Sequence, residues 1–166
     1  MNVINSWRGV RLAAVIIGVL AIAGCAKQQP DQTAMGGAAV PGSQQDFIVN
    51  VGDRVFFESD SSELTPQARD TLDKQAMWLN QYNRYAFTIE GHADERGTRE
   101  YNIALGAKRA ETVKNFLVSQ GIDPRRLRTL SYGKERPVAV CDNITCWSQN
   151  RRAVTVLNGG GAVASN

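Results

Sequence analysis

The chain has 166 residues, which is enough for one domain of ordinary size and too few for two domains with linkers. It carries 19 Lys and Arg against 16 Asp and Glu, a formal charge of +3, which falls to +1 if the two arginines within residues 1–24 are removed. Because the basic residues are interspersed with acids rather than clustered, a nucleic-acid partner is not expected.

The N-terminal segment is typical of an export signal. Two arginines precede an apolar run over residues 12–23, which is the length of a signal-peptide core, whereas a spanning helix needs roughly 20 residues. Small residues lead directly into Cys25, the pattern of a lipobox, in which the thiol accepts a diacylglycerol and the preceding peptide is cut. The alternatives are an ordinary cleaved signal with an incidental cysteine, and an uncleaved anchor. We predict a signal peptide over 1–24 and lipidation of Cys25, which would anchor the chain durably.

Residues 25–46 separate this anchor from the rest of the chain. They are rich in Gly, Pro, Gln and Ala and include no aromatic residue, a composition that cannot bury enough apolar surface to fold. We therefore predict a flexible linker over 25–46, a folded domain over 47–158 and a flexible Gly-rich tail over 159–166.

The sequence of the domain predicts the element order βαβαββ. Strands are predicted over 54–58, 85–89, 127–132 and 153–157. The first helix is predicted to begin at Pro66 with Thr65 as its N-cap. Its predicted buried face comprises Ala68, Leu72, Ala76 and Leu79. This order indicates an α+β or α/β layer of helices on one sheet.

A second helix is predicted from about Thr98 to Gln120, closing at Gly121. Its predicted core stripe comprises Ile103, Ala107, Ala110, Val113 and Leu117.

The densest polar stretch spans residues 91–102, where the second strand ends and the second helix begins. Such a loop is a natural ligand site because free backbone N–H groups point out of the helix start. Asn102 and Arg109 lie seven residues apart on nearly one line of the helix, with Leu105 to one side. Arg109 leans toward the N-terminus and thus toward the loop that carries Asp94. One carboxylate and one guanidinium facing a shared concavity would suit a zwitterion. Alternatively, Asp94 and Arg109 pair with each other and only fasten the loop to the helix.

Catalysis and metal binding have little support. His92 is the only histidine, and no second histidine or thiolate pair stands beside it, so no metal or cofactor is expected. Asp94 and Glu95 are adjacent and would point apart, which makes a paired-carboxylate hydrolase a weak alternative. No Gly-x-Ser-x-Gly nucleophile motif occurs.

Several segments together resemble the peptidoglycan-associated lipoproteins, a family within the OmpA-like domain proteins. The run Gly-His-Ala-Asp-Glu-Arg-Gly-Thr is the most specific of them. The resemblance rests on residues 56–64, 89–102, 105–110, 131–137 and 150–154, and extends over about residues 47–157. It implies an α+β OmpA-like fold with the helices packed on one mixed four-stranded sheet.

The resemblance also implies a function. The domain would bind peptidoglycan non-covalently through the diaminopimelate of its stem peptide, with Asp94 on the ammonium and Arg109 on the carboxylate. The other residues expected to line the groove are Asp60, Ala93, Arg96, Asn102 and Leu105. His92 would shape the loop rather than catalyse. By this analogy alanine in place of Asp94 or of Arg109 should abolish wall binding and leave the fold intact.

The partners implied are peptidoglycan, the propeller protein TolB and other Tol proteins, with TolB competing for an overlapping surface. By the sorting rule of bacterial lipoproteins, Ala26 after the lipidated cysteine favours the outer membrane, on its periplasmic face. The alternative functions are a generic OmpA-like wall anchor outside the Tol system and, less favoured, a cell-wall hydrolase.

Two features depart from the family pattern. Arg99 stands where a proline is usual, which could alter the start of the helix or add a cation at the rim. Cys141 and Cys146 are not general to the family, and in an oxidising periplasm we favour a disulfide over two inert thiols. Arg151 and Arg152 are interpreted as structural and rim charges rather than ligand contacts.

Overall fold

The computed structural model describes residues 39–158. The predicted signal peptide, the lipidation of Cys25, most of the predicted linker and the predicted tail over 159–166 lie outside this range. Within the described residues, no helix is both long and apolar enough to cross a membrane.

Within residues 39–158, four α-helices and four strands form the domain, with a 3-10 turn over Pro124–Arg126 before the third strand. In chain order they are α1 (Gln44–Asp46, continued by a π-helical turn over Phe47–Val51), β1 (Arg54–Phe56), α2 (Pro66–Gln81), β2 (Ala86–His92), α3 (Arg99–Ser119), β3 (Leu127–Gly133), α4 (Ile144–Asn150) and β4 (Arg152–Asn158). The strand order is β1-β4-β2-β3, with β4 antiparallel to both neighbours and β2 parallel to β3. The predicted α+β fold, with helices on one mixed four-stranded sheet, is confirmed.

The two long helices start and stop where the capping residues indicate. Thr65 Oγ1 accepts a hydrogen bond from the N–H of Ala68 at 3.1 Å, and Thr98 caps α3 in the same way. Beyond the end of α3, Gly121 has a φ of 90°, a conformation that disfavours residues with a Cβ. All four residues of the predicted face of α2 are buried.

The buried face of α3 differs from the predicted stripe. Ala110, Val113 and Leu117 are buried as predicted, but Ile103 is only half-buried and Ala107 is exposed. Residues 102, 106 and 109 are buried in their place. A Cβ on Gly91 would overlap the carbonyl of Gly106, so β2 and α3 meet backbone to backbone here. The contact requires glycine, and hydrophobic periodicity does not register it.

The end of the predicted linker is folded, contrary to prediction. Ser43 Oγ caps α1 by accepting from the N–H of Asp46 at 3.1 Å. Asp46 Oδ2 in turn accepts from Trp78 Nε1, and the Tyr85 hydroxyl donates to the carbonyl of Gly42, each at 2.8 Å. The two donors are the polar atoms of Trp78 and Tyr85, which are aromatic residues of the core. Residues 42–46 therefore join the domain through hydrogen bonds and contribute no apolar surface of their own.

Helix α4 was not predicted, and it lies in the cysteine-containing segment. Cys141 and Cys146 are joined by a disulfide, with their Cα atoms 5.7 Å apart. Asn150 fastens the other end of the segment, since its side chain accepts from the N–H of Val138 at 2.9 Å and donates to the carbonyl of Ala139 at 2.7 Å. The helix is therefore held by a disulfide and by side-chain hydrogen bonds to the segment that precedes it, and not by its own short sequence alone.

Candidate ligand-binding site

A cavity of about 290 Å³ opens where the β1–α2 loop, the loop after β2 and the first turns of α3 meet. It is lined by Ser59, Asp60, Asp94, Arg96, Gly97, Tyr101, Asn102, Leu105 and Arg109. Six of the seven predicted groove residues are thus brought together. Ala93 is the exception: it is buried, its N–H donates to the carbonyl of Gly133 at 2.8 Å, and it faces the segment that precedes α4.

Asp94 is 7% exposed and held by two arginines. Its Oδ1 accepts from the backbone N–H and Nε of Arg96 at 3.2 and 3.1 Å, and its Oδ2 accepts from Arg96 Nη2 at 2.6 Å. Arg151 Nη1 lies 3.5 Å from the same Oδ2. Burial alone would raise the pKa of this carboxyl, but these hydrogen bonds outweigh it and lower the pKa. Asp94 is therefore a fixed negative charge at the cavity wall.

Arg109 is fully buried and held by backbone. Its Nε donates to the carbonyl of Ser61 at 2.8 Å, Nη1 to that of His92 at 2.8 Å and Nη2 to that of Glu58 at 3.2 Å. Burial and then the nearby Arg151 lower the pKa of Arg109 to about 10, which leaves it charged at neutral pH. The alternative in which Asp94 and Arg109 pair with each other is wrong, because each has other partners.

Two further predicted residues shape the cavity. The Asn102 side chain donates to the carbonyls of Arg96 and Thr98 at 2.7 and 3.0 Å, which fixes the turn that enters α3. Leu105, one turn further along, is half-buried and adds an apolar wall.

Asp60 and Tyr101 meet across the mouth of the cavity. The Tyr101 hydroxyl donates to Asp60 Oδ1. Asp60 has a φ of 57°, the only positive φ at a non-glycine residue among the described residues, and such backbone strain is concentrated at binding sites. Sequence reasoning missed Tyr101, although a large aromatic side chain in the first turn of a helix that carries predicted ligands was an available signal.

Arg151 is the main residue whose position was misjudged. It is buried, and its Nε donates to the carbonyl of Phe57 at 3.0 Å. Its Nη1 contacts Asp94 Oδ2. Arg151 is therefore structural, as predicted, but its predicted place at the rim is wrong. Arg152 is also buried, with Nη2 donating to the carbonyl of Arg136 at 3.2 Å, so it is structural and does not lie at the rim.

His92 contributes its backbone carbonyl to the site. Its ring is buried and stacks on Tyr132 with centroids 5.5 Å apart. Burial, followed by the charges of Arg152, Arg136 and Arg54, lowers the pKa of His92 to about 4, so the ring is neutral at neutral pH. Among residues 39–158, no three His, Cys, Asp or Glu side chains are placed to hold a metal ion.

Arg99, the departure from the family pattern, occupies the first position of α3. Its Nε lies 3.0 Å from Glu135 Oε1, in an exposed ion pair. The helix starts normally, so the arginine is accommodated without a change in the capping of α3.

The sequence of this domain is similar to those of known proteins. The OmpA family matches residues 56–151. The chain is 62% identical over 153 residues to the peptidoglycan-associated lipoprotein of Mesorhizobium japonicum, with 89% of this chain and 91% of the relative covered. It is 59% identical over 167 residues to that of Brucella melitensis, with 97% and 99% covered.

Solved structures show the same fold. The crystal structure of the peptidoglycan-associated lipoprotein from Burkholderia pseudomallei superimposes with a TM-score of 0.62 at 40% identity, covering 64% of this chain and 90% of that one. The C-terminal domain of Helicobacter pylori MotB superimposes with a TM-score of 0.60 at 23% identity, covering 64% and 84%, which shows likeness of fold alone.

Proposed function

This chain belongs to the OmpA family and, within it, to the peptidoglycan-associated lipoproteins, and from that premise we propose that its domain binds peptidoglycan non-covalently. The ligand in this proposal is the diaminopimelate residue of the stem peptide. When this residue is not crosslinked, one of its carbons carries both an ammonium and a carboxylate, and a binding site must satisfy both charges.

The observation that carries the proposal is that an ionised Asp94 and a charged Arg109 line one cavity without neutralising each other. Three of the five guanidinium N–H groups of Arg109 donate to backbone carbonyls, and in this proposal the other two donate to a ligand carboxylate that enters the cavity. The ligand ammonium would bind Asp94 alongside Arg96, with Asp60 as a second carboxylate on the same cavity. Charge-assisted bonds of this kind are the stronger class of hydrogen bond.

The site is proposed to bind and not to catalyse. A general acid requires a carboxyl that holds its proton near neutral pH, and the arginine contacts of Asp94 work in the opposite direction. His92, the single histidine, is buried beneath the loop with a lowered pKa.

The chain is a cell-envelope lipoprotein, and we place its anchor in the outer membrane, facing the periplasm. In this arrangement residues 1–24 are the removed signal, Cys25 carries lipid, and the segment before residue 39 spans the distance to the wall. By the family resemblance we assign it to the Tol–Pal system, with TolB competing for the same surface. A generic wall anchor outside that system is the second candidate.

Sedimentation with purified sacculi tests the ligand. The full-length protein in detergent should co-sediment, and free diaminopimelate should release it. Asp94→Asn keeps the shape of the side chain but removes its charge, and should raise the dissociation constant for sacculi at least about tenfold, as expected when an interaction worth about 1.4 kcal/mol or more is lost. Asp123→Asn is the matched control because Asp123 forms its ion pair with Arg125, away from the cavity. Unchanged binding of Asp94→Asn, or release of soluble wall fragments, would contradict the proposal.

Competition tests the assignment to the Tol system. Purified TolB added to the sacculus assay should lower the bound fraction progressively as its concentration rises. If wall binding persists at saturating TolB, the chain is a wall anchor of the generic kind.

A further inference from the structure

Arg96 of the ligand cavity rests on an aromatic side chain that belongs to neither the polar loop nor α3. The guanidinium carbon of Arg96 lies 4.3 Å from the ring centroid of Trp147, in α4. The indole Nε1–H of Trp147 donates to Glu95 Oε1, the residue next to Arg96. Trp147 thus contacts two consecutive residues of the loop that carries Asp94.

The contact fixes where the charge of Arg96 lies. Its side chain is 43% exposed, and a free arginine at such a position would sample many rotamers. Here Nη2 bridges Asp94 Oδ2 at 2.6 Å and Ser59 Oγ at 2.7 Å, so the guanidinium stays at the rim and leaves the cavity open. Released from the indole, it could move toward Asp60, the other cavity carboxylate, and occupy the position proposed for the ligand ammonium.

Trp147 is in turn held by the disulfide. It follows Cys146 directly in α4, and Cys146 is bonded to Cys141, which lies before the helix. A helix of seven residues has little stability of its own, so this covalent link fixes the orientation of its first turn. On its other side the loop is held by Lys134, whose Nζ donates to the carbonyl of Gly97 at 2.6 Å.

We infer that Trp147 is a positioning residue of the binding site, which keeps Arg96 on Asp94 and off the floor of the cavity, and that the Cys141–Cys146 disulfide keeps Trp147 in place. This inference rests on the proposed function and deepens it. The binding site then includes a segment about 50 residues beyond its charged loop, and its affinity depends on the oxidation state of two cysteines.

Titration of the full-length protein in detergent with a soluble stem peptide ending in diaminopimelate tests the inference. Trp147→Leu should weaken binding about threefold to tenfold, since an arginine–aromatic contact of this exposure is worth on the order of 1 kcal/mol. Trp147→Phe keeps a ring beneath Arg96 but loses the N–H, and should restore most of the affinity. If both variants are weakened equally, the Glu95 bond and not the stacking is responsible, and the role assigned to the ring is overturned.

A double-mutant cycle separates positioning from general destabilisation. If Trp147 acts through Arg96, Trp147→Leu should cause no further loss in an Arg96→Ala background. Additive losses would show that the indole supports the fold and not the site, and would overturn the inference.

The role of the Cys141–Cys146 disulfide is tested by the same stem-peptide titration. A thiol reductant should weaken stem-peptide binding by the wild-type protein about as much as the double variant Cys141→Ser, Cys146→Ser is weakened, and should not affect that variant. Wild-type binding with no response to Trp147→Leu or to reduction would overturn this inference alone. Absence of wild-type binding would overturn the proposed function and this inference with it.

Discussion

Asp94 and Arg109 line one cavity, yet different parts of the fold hold them. Asp94 is bound by the side chains of Arg96 and Arg151, whereas Arg109 is bound by three backbone carbonyls. Two opposite charges are therefore held at one cavity by separate partners instead of being consumed in a mutual pair. Because side chains hold Asp94 and backbone carbonyls hold Arg109, replacing one residue should have different consequences from replacing the other.

Arg109→Ala should destabilise the domain as well as abolish ligand binding. The variant removes the guanidinium donor from the carbonyls of Glu58, Ser61 and His92 and opens a void, so the free energy of unfolding should fall by about 3–5 kcal/mol. This revises the expectation that the fold survives unaffected. Urea denaturation gives the value, and Arg125→Ala, at a side chain 87% exposed, should match the wild type. Equal stability of Arg109→Ala and wild type would mean that the three carbonyl contacts do not form. Arg109→Lys, which keeps the charge without the fork, should fall between the two.

His92 should make the domain less stable in mild acid. Its pKa is lowered to about 4 in the folded state from an ordinary value of 6.5, so the unfolded state binds more protons between these pH values. Its contribution is complete above pH 6.5 and is lost as the pH falls toward 4, with about 2 kcal/mol lost between pH 7 and pH 5.

The chain contains one histidine, so this pH window isolates it from the carboxylates, whose ordinary pKa values lie near 4. Urea denaturation at several pH values measures the loss, and His92→Gln should flatten the dependence between pH 7 and pH 5. A wild-type stability that stays constant across that window would refute the buried, neutral state of the ring.

Gly106→Ala should be destabilising although alanine favours helix. A Cβ at this position would overlap Ser131 Oγ and lie 2.9 Å from the carbonyl oxygen of Gly91, which belongs to the backbone of β2 and cannot easily move. Overpacking of this kind costs about 1–3 kcal/mol, more than the gain of about 1 kcal/mol in helix propensity.

Thermal unfolding measures that change. Gly121→Ala is the control, because a Cβ there meets nothing within 4 Å and only the φ of 90° opposes it. It isolates backbone strain of about 1 kcal/mol from the steric overlap. If Gly106→Ala unfolds at or above the wild-type temperature, β2 and α3 are further apart than the structure places them.

The Cys141–Cys146 disulfide should add modestly to stability. It closes a loop with a sequence separation of 5, for which the chain-entropy model gives about 2 kcal/mol. The double serine variant should lose that amount in urea denaturation, and a reductant should produce the same loss in wild type only. Titration of two reactive thiols in unfolded, unreduced protein would show that the bond is absent.

The sequence by itself determined the elements whose causes are local. Thr65 and Thr98 start the two long helices because a side-chain oxygen can satisfy a free N–H three residues ahead, and Gly121 ends α3 because it tolerates a positive φ. The polar loop after β2 was predicted as the candidate site for the same reason: its position between a strand and a helix start is evident from a few adjacent residues.

Only the tertiary structure decided how the charges of that loop are used. Arg151 reaches Asp94 across 57 residues of sequence, and Arg109 reaches Ser61 across 48. Trp147 reaches Glu95 across 52. The same holds for Gly91 against Gly106, which displaced the buried face of α3 from the predicted stripe, and for Asp46 with Trp78, which drew the end of the linker into the fold. Hydrophobic periodicity shows which side of an element is apolar. Hydrogen bonds and close backbone contacts between distant segments leave no period in the sequence. In this protein those contacts set the geometry of the candidate site.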